Sequence, residues 1–81
     1  MDYLKIIDNI IDKLANNKEL YASQIIMDIK NNSFTSTELL ISIVFELNKL
    51  IKNNSHINKI IGSEVQDLII YCKKIGIEIK R

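Results

Sequence analysis

The chain contains no proline, no tryptophan, two glycines, one cysteine, one histidine and one arginine. Each scarcity excludes something. With no Pro and little Gly, helix ends and turns must be made by another residue that tolerates left-handed backbone, and Asn is the type in supply. A lone Cys72 allows no intrachain disulfide, and with a lone His56 it cannot build a structural metal cluster, so no cofactor is expected. The single Arg81 deprives the chain of the forked donor that nucleic-acid readers place on phosphate or guanine. Long apolar runs are missing too. The longest, Leu39 to Phe45, is broken by Ser42 and is far shorter than the roughly 20 residues that cross a bilayer. The first residues set Asp2 and Asp8 around short apolar pairs, which is not the pattern of a basic leader with a continuous hydrophobic stretch. The expectation is a soluble, cytoplasmic protein with no membrane partner.

What is present is aliphatic. Eighteen Ile and eight Leu must supply the core of an 81-residue chain. A chain of this size forms one domain, residues 1–81, and buries only about 60 to 65% of its unfolded surface. Ile, Asn and Lys dominate the composition, as an AT-rich coding background would produce, so the lysines alone say little about function. Eleven basic residues face ten acidic ones, with a mild basic tilt after residue 40.

Three doublets, Asn16-Asn17, Asn31-Asn32 and Asn53-Asn54, cut the chain into four stretches. In the first, Asp2 is placed to cap a helix whose Tyr3, Ile6, Ile7, Ile10, Ile11 and Leu14 follow a three-four spacing. Asn16 and Glu19 have capping-box spacing and open a second helix through Lys30, with Tyr21, Ala22, Ile25, Ile26 and Ile29 on its inner face. Thr35 and Glu38 form a second capping box, flanked by Phe34 and Leu39 as a hydrophobic staple, so a third helix starts at Ser36 and runs to about Lys52. Its polar residues Glu38, Ser42, Glu46 and Lys49 make one narrow stripe, and the apolar remainder predicts a central helix wrapped by its neighbours. Asn53 to Gly62 is open between helix and loop: Ile57, Ile60 and Ile61 fit one short helical turn, whereas the flanking Asn, Ser and His favour irregular backbone. Ser63 with Gln66 then opens a last helix with Val65, Leu68, Ile69, Cys72 and Ile75 inward. Gly76 is its left-handed terminator, after which Ile77 folds back and Glu78 to Lys80 continue as a short extended tail. Short connections make successive helices antiparallel, which predicts an all-α fold, an up-and-down four-helix bundle or a close variant.

No residue set carries chemistry. His56 stands among neutral amides and hydroxyls, Cys72 lies on a buried stripe, and the pair Asp8 and Asp12 offers too few oxygens for a hard cation. An enzyme is not expected. A helix-turn-helix reader is disfavoured because the two best-capped helices begin with acids, Glu38 and then Glu64 and Asp67, which repel phosphate. The informative surface feature is Ile70, which projects opposite the core stripe of the last helix. It defines a candidate partner patch with Ile70 and Tyr71 as apolar anchors and Asp67 and Lys74 as a polar rim.

Glu38-Leu39-Leu40 leading to Glu46-Leu47, Ser63-Glu64-Val65 leading to Leu68-Ile69, and the closing Lys73-Lys74-Ile75-Gly76-Ile77 resemble small α-helical immunity proteins of bacterial toxin systems. The likeness is to those paired with Maf-type and contact-dependent growth inhibition toxins, and more loosely to bacteriocin immunity bundles. It spans Phe34 to Ile77, about half the chain. It implies neutralisation of a cognate toxin, in many such systems a nuclease, by one-to-one binding without catalysis. The partner-binding residues expected on this basis are Glu46, Asp67, Ile70, Tyr71 and Lys74, with the acids Asp8, Asp12 and Asp28 as a second contact set. The alternative is a small helical regulatory or nucleic-acid-binding module, for which Lys49, Lys52, Lys59, Lys73 and Lys74 would have to converge on one face. A homodimer through Leu20, Met27 or Ile70 is a further non-catalytic option.

Overall fold

A computed structural model describes residues 2–77 of the protein, and these are all-helical, with no strand among them. The order is α1 (Tyr3–Asn16), α2 (Leu20–Asn32), α3 (Ser36–Asn53) and α4 (Ser55–Lys74). Packing joins α1 to α2, α2 to α3, α3 to α4 and α4 back to α1, a four-sided ring in which diagonal helices do not meet. This is the up-and-down bundle that short connections dictate. One core fills its axis: Ile7, Ile10 and Leu14 of α1, Ile26 of α2, Leu40, Ile43 and Leu47 of α3, and Ile61, Leu68 and Cys72 of α4 are all buried. Each comes from the three-four stripe of its own helix. The 14 and 13 residues of α1 and α2 are marginal lengths for a helix alone in water, and the longer α3 and α4 are rich in Ile and Asn, which are weak helix formers, so each depends on burying that stripe against its neighbours.

The helix ends show how the chain is punctuated. The Asp2 carboxylate accepts from the Leu4 N–H at 3.0 Å, and Thr35 Oγ1 accepts from the Glu38 N–H at 3.1 Å, as their spacings predict. At the end of α4, Gly76 adopts φ +85°, its N–H reaches the Lys73 carbonyl, and the Ile77 N–H returns to the Cys72 carbonyl. That doubly bonded reversal satisfies carbonyls the helix would leave open, and it folds Ile77 onto the core. The same reversal ends α1, where the Lys18 N–H reaches Ala15 and the Glu19 N–H reaches Leu14. Here the left-handed position falls on Lys18, at φ 64°, one residue past the Asn pair.

Several expectations are corrected. The doublets mark helix ends, but no Asn takes the left-handed conformation: Asn16 closes α1, Asn31 and Asn32 remain helical, and Asn54 is extended. The Asn16–Glu19 capping box does not form, since α2 starts at Leu20 with no side-chain cap. The buried face of α2 is Ala22, Ser23 and Ile26, whereas Tyr21 is 81% exposed. A small Ser fits the close approach of α1 and α2, and its hydroxyl is satisfied by donating to the Ile11 carbonyl at 3.0 Å. Phe34 is 94% exposed, so it closes no staple on Leu39.

The segment from Asn53 to Gly62, open between helix and loop in the sequence, is helical: Asn53 ends α3, and Ser55 to Gly62 are the first part of a continuous α4. Asn54 is the sole residue between α3 and α4, and its side chain accepts from the His56 and Ile57 N–H groups. That cap starts the helix at Ser55, Ile57 and Ile61 are buried, and Ser63 falls mid-helix with no capping role. Ile75, expected inside, is half exposed at the helix end. Nor is α3 a central rod. It occupies one corner of the ring, its buried side is Leu39, Leu40, Ile43, Val44 and Leu47, and its Ile41 and Phe45 face outward. The extended tail expected at Glu78 to Lys80 lies outside the described residues.

Two ion pairs link helices, Lys13 with Glu64 between α1 and α4, and Lys30 with Asp8 between α2 and α1. The Tyr3 and Tyr71 rings stack 5.4 Å apart and 15° from parallel, joining the start of α1 to the end of α4.

A lysine held in left-handed backbone carries a steric cost of about 1 to 2 kcal/mol that glycine escapes. After allowance for glycine's greater freedom in the unfolded chain, Lys18→Gly is expected to stabilise the fold by roughly 0.5 to 1 kcal/mol. A thermal melt followed by circular dichroism should show a midpoint several degrees higher. A lower midpoint would mean that the Lys18 side chain makes a contribution larger than its strain.

Candidate interaction face

The one-residue link at Asn54 sets the register of α3 against α4, and that register creates a groove. Residues equally far from Asn54 lie side by side, so Phe45 and Asn48 on α3 face the level of Gly62 on α4. The groove has a volume of about 410 Å³. Phe45, Ile51 and Val65 supply apolar walls, and Asn48, Asn58 and Gln66 supply neutral amides. Among the described residues, Lys49 and Lys52 are the only charged ones in its lining, and no acid lines it.

Gly62 lies on its floor, the only glycine inside a helix. Glycine at such a position costs about 1 kcal/mol relative to alanine. A Cβ there would come within 2.9 Å of Asn58 Oδ1, so any larger residue must displace the Asn58 side chain, which also lines the groove.

The outer wall of the groove continues along α3. Ile41, Phe45, Asn48 and Lys52 are spaced four, three and four residues apart, which makes them a single stripe. Ile41 is 46% exposed and Phe45 is 66% exposed. Ile70, 49% exposed, sits one turn beyond Gln66 on the α4 side. These three side chains are apolar groups that the core has no room for, on the two helices that share the groove.

The five residues expected to bind a partner do not form one patch. Ile70 borders the α3–α4 face. Asp67 and Lys74 lie one turn either side of it on the part of α4 turned from the core, with Asp67 partly and Lys74 fully exposed. Tyr71 is partly buried and stacked on Tyr3, an internal role as well as a surface one. Glu46 is about 160° around α3 from Asn48, on the flank away from the groove. Of the second contact set, Asp8 is paired with Lys30 and Asp28 accepts from the Gln24 amide at 2.8 Å, whereas Asp12 is exposed.

Sequence reasoning missed Phe45, Ile41 and Gly62. Phe45 and Ile41 were assigned to the interior because α3 is apolar over most of its circumference. The signal that could have separated them is their i, i+4 spacing on the side opposite Ile43 and Leu47. Gly62 enters the sequence reading only as the end of the Asn53 to Gly62 segment, not as a missing side chain.

The remaining reactive groups are quiet. Cys72 is fully buried, and burial pushes its thiol above the ordinary cysteine range. Among the described residues no three of His, Cys, Asp and Glu are grouped to hold a metal ion. No helix among them is long and apolar enough to cross a membrane. Of the lysines a nucleic-acid face would need, Lys49 and Lys52 line the groove together, whereas Lys52 and Lys73 are separated by roughly 26 Å along the bundle axis. No protein-family model matches the chain, and no curated protein or solved structure is found similar to it.

A thiol kept protonated by burial adds stability below its ordinary value and loses that contribution as pH climbs toward the raised folded value. At neutral pH the native protein should therefore react with a charged thiol reagent at least roughly 100-fold more slowly than the urea-unfolded chain. Equal rates in the two states would show that Cys72 is accessible.

Proposed function

We propose that the chain is a non-enzymatic immunity protein that binds a cognate bacterial toxin one-to-one and neutralises it, docking through the α3–α4 face. The observation that carries the reading is the outward placement of Ile41 and Phe45 on a helix whose core side is already filled by Leu40, Ile43 and Leu47. Apolar anchors beside a groove, ringed by amides and charges, are what a recognition surface has and what a solvated helix face lacks. The bundle also suits the task mechanically. A rigid helix face presented in advance reduces the ordering cost of association. Neutralisation then needs nothing more than occupation of a surface the toxin uses, so no proton transfer, metal or nucleophile is required of this chain. The order of the sequence features from Phe34 to Ile77, similar to that of immunity bundles, supports a toxin as the partner.

The test is growth protection in bacteria. Expression of the chain should protect cells that produce the toxin domain encoded immediately upstream of its gene. The double variant Ile41→Asp, Phe45→Asp should lose protection while keeping the parent's helical spectrum. Failure of the parent chain to protect would contradict the proposal. Binding of random duplex DNA with a steep loss of affinity in salt would favour the nucleic-acid-binding alternative instead.

A further inference from the structure

We infer that the α3–α4 groove receives an amphipathic helix of the partner that carries acidic residues beside its apolar anchors. The inference rests on the α3–α4 face being the recognition face and specifies what that face recognises.

Charge is the first ground. Lys49 and Lys52 lie about one turn apart on the groove's α3 side, both exposed. Neither takes part in an ion pair among the described residues, where the pairs formed are Lys13–Glu64 and Lys30–Asp8. Two cations beside an apolar surface with no acid between them favour a partner of opposite charge, and a basic segment would meet only repulsion there. The amides of Asn48, Asn58 and Gln66 can donate to carboxylates without adding charge of their own.

Shape is the second ground. The groove runs between two antiparallel helices, and the apolar stripe Ile41–Phe45 extends its edge along the same axis. An elongated occupant with anchors at i, i+4 and i+7 matches that line. Gly62 is the third ground. It adds no side chain to the groove lining, at a cost of about 1 kcal/mol in helix propensity, and a Cβ in its place would meet the Asn58 amide that lines the groove beside it. A single apolar side chain entering over Gly62, between Phe45 and Val65, would be the central anchor.

A fatty carboxylate shares the same chemistry of charge beside hydrocarbon. Small-ligand sites, however, enclose about 70 to 90% of their occupant. Here Phe45 projects into solvent at the rim, with only a third of its surface covered. That arrangement suits the face of a helix, whose other side remains in water.

The experiment is selection from a displayed library of helical peptides randomised along one face, using the intact protein as bait. Selected peptides should be net acidic, with apolar residues at i, i+4 and i+7. The variant Gly62→Leu should weaken a selected peptide at least roughly 30-fold by filling the groove. The double variant Lys49→Glu, Lys52→Glu should reverse the preference, selecting basic peptides from the same library. Melting curves at or above the parent's would confirm that both variants fold. Enrichment of neutral or basic peptides by the parent, binding indifferent to Gly62→Leu, or failure to select any peptide would overturn the inference. So would binding of dodecanoate that blocks the groove in the absence of any selected helix. Growth protection separates the two levels. Full protection by Lys49→Glu, Lys52→Glu would reject the acidic helix and leave the immunity reading standing, whereas loss of protection in the parent rejects the reading itself.

Discussion

Four short helices share one aliphatic core, and everything else in the structure is arranged around that dependence. None could persist alone, because the entropy of ordering a dozen to twenty residues exceeds what local hydrogen bonds return. Closing them into a ring lets each stripe of Ile and Leu meet two neighbours at once. The geometry also sets a limit. A helix in a four-sided ring can bury somewhat less than half its circumference, so apolar residues beyond that arc remain outside. Ile41 and Phe45 are such residues on α3, and Ile70 is one on α4.

This limit explains which parts of the fold were legible in the sequence. The stripes of α1 and the later part of α4 follow the helical period, and Asp2, Thr35 and Gly76 have residue types that perform one job at a helix end. Those features are local, and local physics determined them. The centrality of α3 was a statement about neighbours, and neighbours are supplied by the ring, which gives α3 the same two contacts as every other helix. The same holds for α2. Its inner face turns toward Ser23 and away from Tyr21, because the close approach of α1 selects a small side chain whose hydroxyl finds the Ile11 carbonyl.

Polar residues between Asn53 and Gly62 concealed a helix for a related reason. Helix propensity there is weak, but Asn54 caps the first turn and Ile57 and Ile61 are buried, so tertiary packing overrides the local preference. The consequence reaches function. Because the reversal uses one residue, α3 and α4 are locked in register, and the groove beside Gly62 is a fixed feature of that register. Most of the candidate site was therefore hidden in the sequence. Ile70 could be recognised as an outlier on its own helix, whereas the groove needs two helices and cannot be seen from either one.

The recognition face and the core are, in this account, two outcomes of one distribution of apolar residues: those the ring can enclose and those it must leave outside. Denaturant unfolding of two single variants on α3 tests this division. Leu47→Ala removes an enclosed side chain and should cost about 2 to 5 kcal/mol. Phe45→Ser, two residues away and larger, should cost less than about 1 kcal/mol. If Phe45→Ser proves as destabilising as Leu47→Ala, Phe45 belongs to the core, and the face proposed for recognition is part of what holds the bundle together.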